Sequence, residues 1–231
     1  NKTKISISND ETRHYLNGIY LHKVKSENKS FLCGVATDSH RLSSSSLEIE
    51  PDIDIESIIL PRKTIFQLIS LLEQNANTIK MSNNKSKIKF EIDKSVLISK
   101  VIDGRFPDYT KVIPKGNEKI LQIRLEEFKN SIDRVTTVSV DRKEGLRMNI
   151  SKNAVQLSVN NPSSGEGIEN ISAKFNSEDL SISFNSRYLT DIASQIENEN
   201  IVINLRDPGS PVLINDFSDK NTFHVVMPMK I

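Results

Sequence analysis

The feature that most constrains this chain is a repeat. Two amphipathic helical stripes lie about 125 residues apart in the same local setting. In the first, Ile65, Leu68, Ile69 and Leu72 recur at i, i+3, i+4 and i+7; in the second, Leu189, Ile192, Ala193 and Ile196 do the same. That spacing puts four apolar side chains on one helix face and predicts helices over 61–72 and 185–196. A strand precedes each, at 57–60 and through the alternating Leu180, Ile182 and Phe184. Strands at 79–82, 88–92 and 96–101 follow the first, and strands at 201–205, 212–214 and 223–227 follow the second.

A third helix is legible in Leu125, Phe128, Ile132 and Val135, with a strand before it at 120–123 and strands after it at 146–150 and 155–159. The second half then reads β-α-β-β-β-α-β-β-β. The first half shows the same order without its opening. It starts where the counterpart of the third helix is ending, just before a strand over 14–22. The expected fold class is α+β: tandem duplicated domains, each with two helices on antiparallel sheets, the first copy truncated. The polar stretch 114–119 places the boundary between domains 1–115 and 116–231. Tandem copies of one unit imply pseudo-symmetric assembly, and two copies are too few to close a ring.

Charge narrows the function classes. With 31 basic and 30 acidic residues the net charge is +1, less basic than dedicated nucleic-acid-binding domains. Any contact with DNA requires cations gathered on one face, touching phosphates loosely. No apolar run approaches the roughly 18 residues of a membrane span, and the first ten residues have no apolar signal core. The single cysteine, Cys33, excludes an intrachain disulfide and suits a reducing compartment; Phe31, Leu32 and Val35 beside it predict a buried, inert thiol.

Three strings stand out. In Ala36-Thr37-Asp38-Ser39-His40-Arg41-Leu42 the Asp-Ser-His run invites a hydrolase reading, but consecutive side chains of a strand point to opposite faces and cannot converge. The plain reading is a turn between strands. A metal-dependent nuclease or phosphoesterase using Asp38, His40 and Asp108 is the alternative; the four histidines, at 14, 22, 40 and 224, lack ligand-like spacing. A scaffold protein without a DNA role is a third reading. Asp103-Gly104-Arg105-Phe106-Pro107-Asp108-Tyr109 is a structured loop whose Phe106 and Tyr109 rings suit a pocket wall. In the terminal Val225-Val226-Met227-Pro228-Met229-Lys230-Ile231, Pro228 interrupts a strand ladder and the methionines offer an adaptable apolar wall.

These strings, with Thr12-Arg13-His14-Tyr15-Leu16-Asn17-Gly18 and Pro61-Arg62-Lys63, occur in an order and spacing similar to bacterial beta sliding clamps. The resemblance covers nearly the whole chain and corresponds to that family's middle and last domains. Ser39 departs from the pattern, which usually has Gly there. The resemblance implies three similar domains per subunit, two subunits joined head to tail, helices lining the hole and sheets outside. It also implies no catalytic activity, no cofactor and no metal. The implied partners are double-stranded DNA bound without sequence preference, the replicative polymerase, a clamp loader and other proteins carrying clamp-binding motifs, in the bacterial cytoplasm at the nucleoid. The implied peptide pocket, between the two domains, takes Arg13, Leu16, Thr37, Ser39, His40, Arg41, Leu42, Pro107, Lys111 and Val112 from the first copy. From the second it takes Tyr188, Pro211, Val212, Val225, Met227, Pro228, Met229 and Lys230. For Leu16, Val112 and Val225, ordinary core is the competing reading. Arg62, Lys63, Arg134 and Arg187 are the implied DNA contacts. Thr137, Val138, Glu166 and Glu169 are the implied subunit interface, and without the first domain the chain is expected to be a monomer.

Overall fold

The computed structural model describes residues 1–73, 78–139 and 145–230. The chain divides into two compact units, Asn1–Asp108 and Tyr109–Ile231. The expected boundary at 115/116 falls a little further on, inside the second unit.

The first unit opens with 3-10 turns at Lys4–Ser6 and His14–Leu16, followed by β1 (Gly18–Ser26), β2 (Lys29–Thr37), β3 (Arg41–Ile49), β4 (Ile58–Pro61), α1 (Arg62–Leu72), β5 (Ile79–Asn83), β6 (Lys87–Ile92) and β7 (Ser95–Lys100). Antiparallel pairing runs β4-β1-β2-β3, and β5-β6-β7 form a separate sheet. The core joins Ile19, Ala36, Ile58, Leu60 and Ile65 to Ile88, Phe90 and Ile92. The expected strand over 14–22 therefore starts late. Residues 14–16 turn instead, because Leu16 N–H donates to the Arg13 carbonyl and Asn17 N–H to that of His14.

The second unit contains β8 (Lys119–Arg124), α2 (Leu125–Val135), a 3-10 turn at Thr136–Val138, β9 (Gly145–Ser151), β10 (Ala154–Asn161), β11 (Gly165–Lys174), β12 (Leu180–Asn185), α3 (Ser186–Ala193), β13 (Asn200–Leu205), β14 (Val212–Asp216) and β15 (Asp219–Val226). Within it the strand order is β12-β9-β10-β11-β8-β13-β14-β15. Pairing in β12-β9-β10-β11 repeats that of β4-β1-β2-β3, and β13-β14-β15 repeats β5-β6-β7, so the duplication is real. Strand β11 is the element the sequence pattern missed. Its Gly165, Glu166 and Gly167 read as a turn, and Ile168 is exposed while Ile171 is buried.

Alternation builds the core of this unit. Leu146, Met148 and Ile150 of β9 face Phe184, Ile182 and Leu180 of β12 in register, and all six are buried. Helix α2 buries Leu125, Phe128, Ile132 and Val135, the whole predicted stripe. Glu126 and Glu127 in its first turn complement the helix dipole. Helix α3 is capped by Asn185, whose Oδ1 accepts the Arg187 N–H at 3.0 Å. It ends at Ala193 rather than 196, though Ile196 is still buried. Among the described residues no helix is long and apolar enough to cross a membrane.

Candidate functional site

The Asp-Ser-His string occupies the tight turn between β2 and β3. Thr37 Oγ1 donates to the Arg41 carbonyl at 2.7 Å and accepts the Ser39 N–H at 3.1 Å. Asp38 Oδ1 accepts the N–H groups of His40 and Arg41, and its Oδ2 accepts Arg41 Nε at 3.1 Å. The Asp38 carboxylate is thus engaged in holding the turn. Ser39 adopts φ +79°, a conformation that side chains other than Gly rarely take. Its Oγ accepts Arg13 Nη1 at 2.6 Å, and Arg13 Nε donates to Asp10 at 2.7 Å. Hydrogen bonds from Thr12 and then Arg13 hold the Asp10 carboxyl well below the usual range. Nucleophile, base and orienter do not assemble here. Among the described residues no group of three His, Cys, Asp or Glu side chains is placed to hold a metal ion.

The loop 103–109 corrects one expectation. Phe106 is buried and stacks on Tyr20 at 5.0 Å, and Tyr20 stacks on His22 at 4.3 Å. The ring that suited a pocket wall belongs to the interior of the first unit. Burial lowers the pKa of His22 and raises that of Cys33, consistent with an inert thiol.

The second unit carries a cleft of about 670 Å³, lined by 110–115, Asn117, Arg206, Ser210, Pro211 and Met227. Of the residues anticipated for peptide binding, Lys111, Val112, Pro211 and Met227 line it. Val112 is half exposed, so the core reading fails for it. Leu16, Leu42, Val212 and Val225 are buried, which for Leu16 and Val225 agrees with the core reading. Tyr188, Pro228 and Met229 are half-buried, and Pro107, His40 and Lys230 are exposed. Strand β15 stops at Val226, before Pro228, and the Met229 N–H donates to the Ser183 carbonyl of β12 at 2.7 Å. The tail is therefore anchored; Ile231 lies outside the described residues.

Two cleft features were not legible in the sequence. Asn117 Nδ2 donates to the carbonyls of Asn204 and Pro211, tying the polar stretch 114–119 to the wall. At 206–210, Arg206 Nη2 donates to Ser210 Oγ, which donates to Asp207 Oδ2, while Gly209 N–H caps Oδ1. Hydrogen bonds to the Asp207 carboxylate from Ser210 Oγ and then from Arg206 Nε, which reaches Oδ2 at 2.9 Å, lower its pKa to about 2. The Asp-Pro-Gly turn was the available signal.

The four anticipated DNA contacts differ in their surroundings. Arg62 and Lys63 are exposed at the start of α1, where Arg62 also lies over the Phe66 ring at 5.4 Å and bonds Asn9 Oδ1. Arg187 is exposed in the first turn of α3. Cations there oppose the helix dipole, a mild cost that stability alone does not explain. Arg134 is different: Nε and Nη2 both pair with Glu169. Thr137 Oγ1 donates to the Asp133 carbonyl. Strand β11 pairs with β10 along 165–172 but with β8 only at Ala173 and Lys174. Its other edge, carrying Glu166 and Ile168, has no strand partner among the described residues.

A duplicated α+β unit of this topology is the fold of the solved sliding clamps with which the chain aligns. The model for the DNA polymerase III beta subunit central domain matches residues 1–108, and that for its C-terminal domain matches 110–230. The beta sliding clamp of Caulobacter vibrioides is 37% identical over 231 residues, covering 100% of this chain and 62% of the relative. That of Escherichia coli K12 is 31% identical over 229 residues, covering 99% and 62%. A Bartonella birtlesii sliding clamp solved with griselimycin aligns with TM-score 0.95 at 39% identity, covering 99% of this chain and 62% of that one. The Caulobacter crescentus clamp aligns with TM-score 0.96 at 37% identity, covering 100% and 61%. The chain belongs to the DNA polymerase III beta subunit family, the beta sliding clamps, and spans 62% of the length of these curated relatives.

Proposed function

We propose that the protein is a replication processivity factor: a sliding clamp that encircles duplex DNA and docks polymerases and other replication proteins through short peptide motifs, without catalytic chemistry of its own. The match of both beta-subunit domain models along the whole chain carries this reading. Topology tests it. The full-length protein, loaded on a closed DNA circle by a clamp loader, is expected to stay bound and to leave when the circle is cut. Loss at the same rate from both forms refutes encirclement.

Arg62, Lys63 and Arg187 are the proposed phosphate contacts; Arg134, held by Glu169, contributes less. Replacing the three with Ala should weaken retention on DNA and flatten its salt dependence while leaving sequence preference absent. Relief at the helix N-termini offsets the loss of the Arg62 contacts to Asn9 and Phe66, so thermal stability should change little. A variant that loses stability and keeps normal retention refutes the assignment.

Peptide motifs are proposed to dock at the cleft of the second unit, with an apolar anchor against Val112 and Met227. The tail 227–230 is the other proposed contributor from this unit; Arg13 and the turn 37–42 are proposed peptide contacts carried by the first unit. Burying one Leu or Phe contributes roughly 1.5–3 kcal/mol, and peptide ordering offsets much of the gain, so a Kd of about micromolar is expected. Deleting 227–231 should abolish binding and leave the fold nearly intact; equal affinity would place the site elsewhere. The edge of β11 that has no strand partner among the described residues, with Glu166, Glu169, Thr137 and Val138, is the proposed head-to-tail subunit contact. The 231 residues alone are expected to be monomeric in dilute solution, and a stable closed two-chain ring refutes that.

A further inference from the structure

Two cations of the first unit share one aromatic ring. Phe66 follows Arg62 on α1 at the i, i+4 spacing, so the two side chains lie on the same helix face, and the Arg62 guanidinium sits 5.4 Å from the ring centroid. Lys4, from the opening 3-10 turn, brings its Nζ to 5.8 Å from the same centroid. The two charges come from distant segments, yet the shared ring keeps them no more than about 11 Å apart. Phe66 is 45% exposed, and Arg62 is exposed beside it.

Neither cation is neutralised within the unit. Lys4 Nζ donates to Asn1 Oδ1 and Arg62 Nη1 to Asn9 Oδ1, both uncharged amides, and among the described residues neither cation pairs with a carboxylate. Lys29, Lys89 and Arg134, by contrast, each meet a glutamate. Two like charges at one ring repel each other, and Arg62 at the first position of α1 also opposes the helix dipole. The arrangement therefore gathers positive charge that an outside anion relieves. A ring face attracts a cation without fixing the direction of its N–H groups. Charge held in place with its donors unfixed suits a row of phosphates moving past, which needs no single bonding geometry.

We propose that Phe66 is a positioning residue for DNA: its ring gathers Lys4 and Arg62 into a two-cation seat for one backbone phosphate or two neighbouring ones of the same strand, and Lys4 is itself a phosphate contact. The inference rests on the DNA-encircling reading and adds Lys4 and Phe66 to its contact surface. Successive charges of one strand lie about 3.4 Å apart along the duplex axis, so the seat spans a short run of them.

Titration of a labelled short duplex with the full-length protein, repeated over a range of salt, tests it. Lys4→Gln should weaken binding about three- to tenfold at low salt and reduce the slope of log affinity against log salt by up to about 0.9, the release from one phosphate contact. Phe66→Leu keeps every charge and an apolar side chain. It should nevertheless weaken binding and lower the slope, because the cations leave the seat; a ring that only packs would leave the slope unchanged. Phe66→Tyr retains the ring and should bind like the parent. In a Phe66→Leu background the loss caused by Lys4→Gln should shrink. A parental slope in Lys4→Gln or in Phe66→Leu, or a Phe66→Tyr variant no better than Phe66→Leu, overturns the inference while leaving encirclement standing. So does an unaltered protein that stays on closed circles and binds no short duplex. Escape of the unaltered protein from a closed circle as fast as from a cut one refutes the encircling reading and the inference with it.

Discussion

Gly167 is where a single methyl group should do most damage. It lies in β11 beneath the end of α2, and a Cβ built there meets Val135 O at 2.5 Å, Val135 Cα at 3.0 Å and Val135 C at 3.1 Å. All three atoms are backbone, so no rotamer change relieves the contact. The strand must retreat by roughly 1 Å to reach ordinary van der Waals distance, and a gap of that size forfeits a quarter to a half of each neighbouring contact. The contacts at stake involve the buried Phe128, Ile132, Val135 and Ile171. Overpacking of this kind costs about 1–3 kcal/mol, and the backbone origin of the clash places Gly167→Ala at the upper end. Reduced unfolded-state entropy returns about 0.4–1 kcal/mol, leaving a net loss of about 2 kcal/mol. Gly165 is the control. It has φ +103° and nothing within 4 Å of its Cβ position, so Gly165→Ala pays only for conformation, about 1 kcal/mol. Urea titration followed by circular dichroism measures both. A Gly167→Ala variant within about 0.5 kcal/mol of the parent, or one more stable than Gly165→Ala, refutes the close-approach account.

Three further outcomes are expected. His22 is buried with a lowered folded pKa, so its unfolded form binds the proton more readily; stability should fall as pH drops below about 6.5, and His22→Gln should flatten the urea midpoint between pH 5 and 8, whereas unchanged pH dependence refutes the assignment. Asp207 has a depressed pKa of about 2, so the 206–210 turn should persist as pH falls past the unfolded carboxylate value and loosen only near pH 2; Asp207→Asn should weaken peptide binding several-fold at neutral pH in a labelled-peptide titration, and parent-like affinity counts against the cleft wall. On the face of the second sheet, Ser181 Oγ donates to Asn149 Oδ1, Asn149 Nδ2 to Gln156 Oε1 and Gln156 Nε2 to Asn170 Oδ1, a side-chain ladder across four strands. Gln156→Ala interrupts it in the middle and should cost about 0.5–1.5 kcal/mol in urea titration, while a neutral change means the ladder is idle.

Local periodicity was enough to define much of the molecule. The stripes of Ile65, Leu68, Ile69 and Leu72, and of Leu125, Phe128, Ile132 and Val135, specify helices because only one face of each is apolar. The alternation in 146–150 and 155–159 specifies strands for the same reason. The repeat of these patterns made the duplication visible, and the motif strings carried the family resemblance. Where the pattern failed, the determinants were not local. Strand β11 has glycine where α2 comes down on it, a requirement set by an element some thirty residues earlier in the chain. Phe106 looked like a surface ring until Tyr20 supplied a stacking partner. Arg134 looked like a free cation until β11 brought Glu169 to it. The sequence by itself determined which segments are helix and strand and how the units repeat, because those follow from side chains spaced within one element. Tertiary structure alone decided which apolar side chains are buried, which line the cleft and which charges are already paired, because burial and pairing depend on distances between residues far apart in the chain.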